Sequence, residues 1–258
     1  MTGRTSGPRE GFIVARSEHG ETDLVVSILL EDGSVRRAMA KGARKSTRRF
    51  AAGLSAFVRY RVVFGRPPAR QGANAFPRLD EATVVRAYAG VLDDLRRTSA
   101  AGFASVLSSD LAREVSHDAG LFALFVEHMG RIEHADGVAC GGATVRFALR
   151  ALEHAGFPIA LDACVRCGKP APDNALVHVR AAEGGIVCAK CSGTSGGGAR
   201  SGEATLRAAD RRALRRVQTD GADAAFEPWM LTWLVPIVGA HAPHAAANLT
   251  QCARHWAT

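Results

Sequence analysis

The chain has 258 residues, 47% of them hydrophobic and 22% charged, and at roughly 100 to 200 residues per domain this suggests two ordinary domains with real cores. These proportions exclude a disordered tail and a coiled coil, and the longest apolar stretch, Trp229 to Ala240, is broken by Thr232 and Pro236 and falls short of the roughly 20 residues of a membrane helix. The net charge of +8 is unevenly placed: residues 1–81 hold 15 Lys and Arg against 8 Asp and Glu, a balance of +7, whereas residues 82–258 hold 18 against 17.

Met1 to Glu10 contains Arg4, Arg9 and two glycines but no apolar run of the kind that begins a secretory signal, so the chain is expected to stay in the cytoplasm. Gly11 to Arg16 reads as a first strand. From Asp23 to Glu31, Leu24, Val26, Ile28 and Leu30 alternate with Val25, Ser27, Leu29 and Glu31, the period of a strand with one well-buried face. Glu31-Asp32-Gly33 supplies an Asp-Gly turn, and Val35 to Ala40 reads as the returning strand of a hairpin. Alternation resumes from Ala56 to Phe64, where Ala56, Val58, Tyr60, Val62 and Phe64 share one face and Phe57, Arg59, Arg61 and Val63 the other, which places both arginines outside. With Ala82 to Ala87, about five short strands separated by turn residues predict a small barrel, and a five-stranded barrel of the OB type is the natural candidate.

Overlying these strands, Arg36 to Leu79 carries twelve cations and no acid: Arg36, Arg37, Lys41, Arg44, Lys45, Arg48, Arg49, Arg59, Arg61, Arg66, Arg70 and Arg78. An ordinary solvated face mixes signs to limit self-repulsion. The unbroken run therefore points to a polyanionic partner, against the blander reading of a solvated surface in an arginine-favouring proteome. Phe50, Phe57 and Phe76 are the aromatic side chains available there as stacking platforms, since Tyr60 and Phe64 fall on the apolar face. Contact with the polyanion is thus expected to be mostly electrostatic and nearly indifferent to sequence.

Beyond Tyr88 the period becomes helical. Leu92, Leu95, Ser99, Phe103, Val106 and Leu107 form one stripe, Leu121, Phe125, Met129 and Ile132 a second, and Val145, Leu149 and Leu152 a third, stopped by Gly156 and Pro158. Ser116-His117-Asp118 sets triad residue types side by side and is read as a helix start with Asp118 near the cap, because a working triad converges from separate elements. Leu206, Ala213, Leu214 and Val217 mark a fourth helix, and Phe226, Met230, Trp233, Leu234 and Ile237 a last one interrupted by Pro236, with Trp229 and Trp233 read as core. The fold class expected is α+β in two parts: residues 1–87 as an OB-type nucleic-acid-binding barrel, and residues 88–258 as a helical domain carrying an insert at about 162–202. The insert ends in the Gly and Ser stretch Ser192 to Gly202, read as a flexible loop.

Cys164-Val-Arg-Cys167 and Cys188-Ala-Lys-Cys191 are two C-x-x-C pairs separated by 20 residues, the spacing of a structural zinc site. Two residues between cysteines let a tight turn aim both sulfurs at one ion, and Gly168 can take the positive φ such a turn requires. Four thiolates fill a tetrahedral shell and leave no position for water, so the expected cofactor is one structural Zn2+ per chain, its charge partly offset by Arg166, Lys169 and Lys190. Two disulfides would need a secreted chain, and a thioredoxin-like redox pair would need a βαβ setting. Cys140 and Cys252 have no partner at ligand spacing and are read as buried thiols, and His19 as a solvated turn residue. No phosphate-binding glycine loop, H-E-x-x-H or carboxylate cluster appears, so the chain is read as non-enzymatic.

Three ordered runs carry a resemblance. His19-Gly-Glu-Thr-Asp-Leu-Val-Val-Ser-Ile-Leu-Leu-Glu-Asp-Gly33, Ala40-Lys-Gly-Ala-Arg-Lys45 with Leu54-Ser-Ala-Phe57, and Gly156-Phe-Pro-Ile-Ala-Leu-Asp-Ala-Cys-Val-Arg-Cys-Gly168 followed by Cys188 to Cys191 are similar to the bacterial recombination mediator family RecO. The resemblance covers roughly residues 10–191. It implies an OB fold followed by a helical domain with a zinc finger, binding of single- and double-stranded DNA, annealing of complementary strands, and partnership with RecR, single-stranded DNA-binding protein and, indirectly, RecA. It further implies nucleoid association. Lys41, Arg44 and Lys45, flanked by Arg36, Arg37, Arg48 and Arg49, with Arg59 and Arg61, become the expected DNA contacts. Arg211, Arg212, Arg215 and Arg216, beside the stripe of Leu214 and Val217, become candidates for the acidic and aromatic tail of the single-stranded DNA-binding protein. The chain departs from the family in lacking a basic stretch over Gly239 to Thr258 and in carrying the Ser192 to Gly202 loop. The competing readings are a zinc-ribbon RNA-binding or transcription-associated assembly factor, and a nuclease.

Overall fold

A computed structural model describes residues 7–46, 48–65, 76–112, 119–174, 176–192, 203–220 and 223–256. The chain divides into two compact units, Met1–Ala89 with Val115–Ala123 and Gly90–Glu114 with Leu124–Thr258.

The first unit is built on strands β1 (Arg9–His19), β2 (Asp23–Leu30), β3 (Val35–Ala40), β4 (Val58–Phe64) and β5 (Leu79–Ala87), in one antiparallel sheet of order β3-β2-β1-β4-β5. All five expected strands form, and the Asp32-Gly33 turn closes the β2–β3 hairpin, with Gly33 at a φ of 78°. The sheet curls until its outer strands approach each other, but among the described residues no ladder joins β3 to β5, and Met39 of β3 forms an isolated bridge with Arg78, just ahead of β5. It is an OB-like sheet that stops short of a fully hydrogen-bonded barrel. The interior is filled by Leu24, Val26, Ile28 and Leu30 of β2 and Tyr60, Val62 and Phe64 of β4, the residues that the alternation assigns to it. Gly11 sits where β1 passes between Leu30 and Tyr60; a Cβ there would lie 2.7 Å from Ile28 Cγ2 and 2.8 Å from the Leu29 carbonyl.

Two local expectations fail. Ala56 is exposed in a turn before β4, and Leu54 and Phe57 take left-handed φ values of 56° and 61°, so the alternating run starts at Val58. β2 also buries its second face, at Val25 and Leu29, because Phe12, the register partner of Leu29, packs against Tyr88 and Phe122 at ring separations of 5.9 and 5.8 Å. Phe122 is remote in sequence, and alternation within one strand carries no signal of such a cover.

The helices of the second unit are α1 (Leu95–Leu111), α2 (Ala119–Ile132), whose first turn belongs to the first unit, and α3 (Gly137–His154). Asp94 and Asp136 cap α1 and α3, accepting from Arg96 and Arg97 and from Ala139, contacts worth about 1 kcal/mol each. Gly156 ends α3 at a φ of 86°, with the Phe157 N–H bonded to the Leu152 carbonyl, as its sequence indicates. The stripes expected in α2 and α3 are buried. Of the first stripe, however, Leu92, ahead of α1, and Leu95, its first residue, are 67% and 62% exposed, and the buried face of α1 is made by Ala100, Phe103, Ala104, Leu107 and Leu111. Small residues pack here by close approach, which a search for large apolar residues overlooks.

The insert is a small sheet of strands β6 (Val177–Arg180), β7 (Gly185–Val187) and β8 (Glu203–Leu206) in order β7-β6-β8, with a single helical turn, α4 (Ala189–Ser192), between β7 and β8. Leu206 therefore closes a strand and does not open the fourth helix, which is α5 (Ala208–Asp220). Helix α6 (Trp229–Gly239) runs through Pro236 without ending there, and a further helix, α7 (Pro243–Ala253), follows that the sequence reading lacked. Its buried residues Ala245, Ala246, Leu249 and Cys252 are too small to give a strong period. Trp233 is buried as expected, whereas Trp229 is half-buried and donates to Glu227. Among the described residues no helix is long and apolar enough to cross a membrane. The expectations at Arg66 and Arg70, Ser116 to Asp118, and residues 193–202 of the Gly and Ser loop lie outside the described residues.

His128 of α2 is buried against Phe147, ring centroids 4.7 Å apart. Burial lowers its pKa to about 4, a shift that the nearby carbonyls of Ala100 and Ala143 only partly offset. Below pH 6.5 the unfolded chain takes up a proton that the folded one refuses, so this contribution to stability is full above pH 6.5 and is lost progressively down to about pH 4. Chemical denaturation should show a loss of up to about 3 kcal/mol over that interval. His128→Gln should flatten the dependence; an unchanged pH profile would mean that His128 already carries its proton in the fold.

Candidate nucleic-acid interface and metal centre

The cations of the first unit differ in what already neutralises them. Arg59 pairs with Glu10, Arg61 lies 3.7 Å from the same carboxylate, and Arg44 lies 3.3 Å from Glu18. The Arg59 guanidinium also stands 5.6 Å from the Phe122 ring centroid. Arg36 and Arg37 stand over Phe64 and Phe76 at 5.1 and 4.5 Å. Lys41, Lys45 and Arg48 are exposed, and no carboxylate among the described residues pairs with them.

These three project from one tightly built loop. It leaves β3 at Ala40 and turns at Gly42, whose φ of 68° suits glycine. Ala43 is buried beneath it. Asp23 accepts from the Gly42 N–H at 2.8 Å and from the Thr22 hydroxyl at 3.0 Å, and the Arg44 N–H donates to the Thr22 carbonyl at 3.0 Å. Arg49 closes the other side by donating to the Lys41 carbonyl at 2.7 Å. The backbone is thus fixed while the lysine side chains stay free, an arrangement suited to phosphate contact without base discrimination. Of the three aromatic platforms, Phe50 is fully buried in the sheet interior and is withdrawn. Phe57 and Phe76 are half-exposed, Phe76 beneath Arg37. The sequence reading missed Glu10 and Glu18 as counterions and Asp23 as the loop's anchor; Asp23 lies inside a motif that it quoted without giving it a task.

The four cysteines of the insert converge. The sulfurs of Cys164, Cys167, Cys188 and Cys191 all lie within 4.8 Å of one another, and Cys167 and Cys188 stand 3.8 Å apart, the edge expected of a tetrahedron with metal–sulfur bonds of about 2.3 Å. None forms a disulfide. The first pair sits on a turn closed by Gly168 N–H to Cys164 O at 2.8 Å, with Gly168 at a φ of 69°, and the second on the turn that opens α4. A hydrogen bond from the Cys188 N–H, aided by those of Arg166 and Cys167, draws the Cys164 thiol down to about 6, and the Cys191 N–H similarly lowers Cys188. Hydrogen bonding with Cys188 and Cys167 pushes Cys191 up to about 12. Four sulfurs so close cannot all ionise without a cation among them, so donor type, number and spacing fit a four-coordinate metal. Arg166 is held by Glu183 at 2.6 and 2.7 Å and donates to the Cys191 carbonyl, and besides Glu183 the nearby sulfurs of Cys191 and Cys164 favour its charge. Cys140 and Cys252 are buried, and burial pushes both thiols up to about 12.

The arginines of α5 divide. Arg211 is buried and donates to the Pro172 carbonyl at 3.2 Å, and Arg215 pairs with Asp162, so both fasten α5 to the cysteine-bearing segment. Arg212 and Arg216 are exposed.

Residues 8–88 match the family described as "Recombination protein O N terminal", and residues 92–227 match "Recombination protein O C terminal". The chain belongs to the RecO family. Relatives named DNA repair protein RecO include one from Anaeromyxobacter sp. strain Fw109-5, 32% identical over 84% of this chain and 82% of the relative. A second, from Anaeromyxobacter sp. strain K, is 34% identical over 91% and 86%, and one from Myxococcus xanthus is 31% identical over 70% and 71%. The two RecO matches contain the cationic loop and all four cysteines and end ahead of α6 and α7. The departure noted at the C terminus falls in this last part, where Arg254 is the sole Lys or Arg beyond Gly239.

Proposed function

We propose that this chain is a non-enzymatic recombination mediator in DNA repair, acting in the cytoplasm at the nucleoid. It binds single- and double-stranded DNA through residues 1–87, anneals complementary strands, and helps to load the recombinase RecA indirectly, together with RecR and single-stranded DNA-binding protein. The helical residues 88–258 carry one structural zinc on Cys164, Cys167, Cys188 and Cys191. With every coordination position filled by sulfur, the metal would hold the two turns together and supply no Lewis-acid step. Of Arg211, Arg212, Arg215 and Arg216, the exposed Arg212 and Arg216 are the residues offered to the acidic tail, since Arg211 and Arg215 are engaged with Pro172 and Asp162.

The observation that carries this reading is the loop at Lys41 to Lys45: exposed cations on a braced backbone, at the edge of an OB-like sheet, in a chain of the RecO family. Single-strand contact there is electrostatic and tolerant of sequence. A fluorescence assay with complementary oligonucleotides, bare or coated with single-stranded DNA-binding protein, tests it. The annealing rate should rise several-fold with the protein present, and metal-dependent cleavage should be absent. Preference for structured RNA with no annealing would favour an RNA-binding assembly factor instead.

A further inference from the structure

The geometry points to Asp23 as a positioning residue for nucleic-acid binding: its carboxylate fixes the backbone of the Lys41 to Lys45 loop and thereby aims cations that it does not itself touch. This rests on the reading of that loop as the DNA contact. Asp23 opens β2, and the loop it holds lies beyond the end of the neighbouring strand β3, 19 residues away in sequence. Its Oδ1 receives two donors at once, the Gly42 N–H at 2.8 Å and the Thr22 hydroxyl at 3.0 Å.

The Gly42 bond is the decisive one. Gly42 is the hinge of the loop, with its φ of 68°, and its amide points out of the β2–β3 ladder, whose last pair is Leu24 with Ala40. Asp23 replaces the missing strand partner. The main-chain bond from Arg44 to Thr22, 3.0 Å long, then fixes the backbone two residues further on. An acid beside a cation-rich loop would by charge alone weaken binding of a polyanion; a hydrogen-bonding role explains its presence there. The motif Thr22-Asp23 and the motif Ala40-Lys-Gly-Ala-Arg-Lys45 are two halves of one device.

Charge and positioning predict opposite results from two substitutions. Asp23→Asn removes the charge but keeps an oxygen that can accept from Gly42, whereas Asp23→Ala removes both. If Asp23 acts only through charge, both variants bind single-stranded DNA more tightly, and equally. If it positions the loop, Asp23→Ala binds about three- to ten-fold more weakly and with a salt slope smaller by about 0.7 to 1.4, the loss of one or two phosphate contacts. Asp23→Asn then binds at least as tightly as the parent chain. Equal affinities for the two variants would overturn the assignment. Should Asp23→Ala fail to fold, amide hydrogen exchange on the unaltered protein decides: Gly42 should be protected well beyond Lys41, and an unprotected Gly42 amide refutes the anchor. The triple variant Lys41→Ala, Arg44→Ala, Lys45→Ala separates the two readings. If it leaves the salt slope unchanged, the loop is not the DNA contact; if it lowers the slope while Asp23→Ala does not, only the positioning role falls.

Discussion

Replacing Cys164 or Cys188 with Ser is expected to abolish stoichiometric zinc and to loosen the second unit. The insert is small, with three strands of three or four residues, and although Val177, Val179, Ile186 and Val187 are buried and Arg211 and Arg215 tie it to α5, its turns carry the cysteines. For structural zinc sites the apparent metal-binding free energy is on the order of 10 to 16 kcal/mol, and it counts as folding energy because the preformed site is absent from the unfolded chain. Losing one of four ligands therefore removes an amount comparable with a domain's whole stability, about 5 to 15 kcal/mol. The sheet of the first unit has its own core and should keep its fold, so DNA binding should survive in part. Metal analysis of the reduced protein, with melting followed by circular dichroism, provides the check. Well under one zinc per parent chain, or full zinc in either variant, would show the assignment to be wrong. Cys140→Ala and Cys252→Ala should keep their zinc, because both thiols are buried in the helical core and stand outside the cluster of four sulfurs.

The second large effect is expected in the salt dependence of DNA binding. Each phosphate neutralised on a single strand adds about 0.7 to the slope of log affinity against log salt. Replacing Lys41, Arg44 and Lys45 together with Ala should therefore flatten the slope by up to about 2 and weaken binding alike across sequences. The Lys41 and Lys45 shares should exceed that of Arg44, whose guanidinium is already 3.3 Å from Glu18. Folding should hardly change, because exposed loop cations stabilise little and the bracing bonds of this loop run through its backbone, Asp23 and Arg49. An unchanged slope on unstructured oligonucleotides, for a folded variant, would remove this loop from the interface. Arg59→Ala with Arg61→Ala should change the slope less, since Glu10 shares the charge of both.

Much of this was legible in the order of residues. The five strands follow from alternation that a curled sheet imposes on its own segments, and the convergence of four cysteines from their C-x-x-C spacing. Both signals are local: period within a strand, and a turn two residues long. What escaped was set by residues distant along the chain. Phe50 looked like a platform until the sheet closed over it, and Leu29 looked outward until Phe12, Tyr88 and Phe122 met beside it. Helix α7 lacked a pattern because alanine buries too little area to make one.

The count of cations in Arg36 to Leu79, their lack of interspersed acids and the two C-x-x-C pairs are properties of the sequence by itself, since each is a matter of composition and spacing. Which cations remain free is a tertiary property. Glu10 and Glu18 lie outside the basic run in sequence, yet the antiparallel pairing of β1 with β4 sets Glu10 opposite Arg61 and beside Arg59, and folding likewise brings Glu18 to Arg44. Screened charge acts over a few ångströms, about one Debye length at most, so neighbours in space decide what each arginine can still bind. Lys41, Lys45 and Arg48 stay open for the same reason: the loop that bears them reaches the acids of β1 through Arg44 alone among its described residues, and no carboxylate among the described residues pairs with the other three.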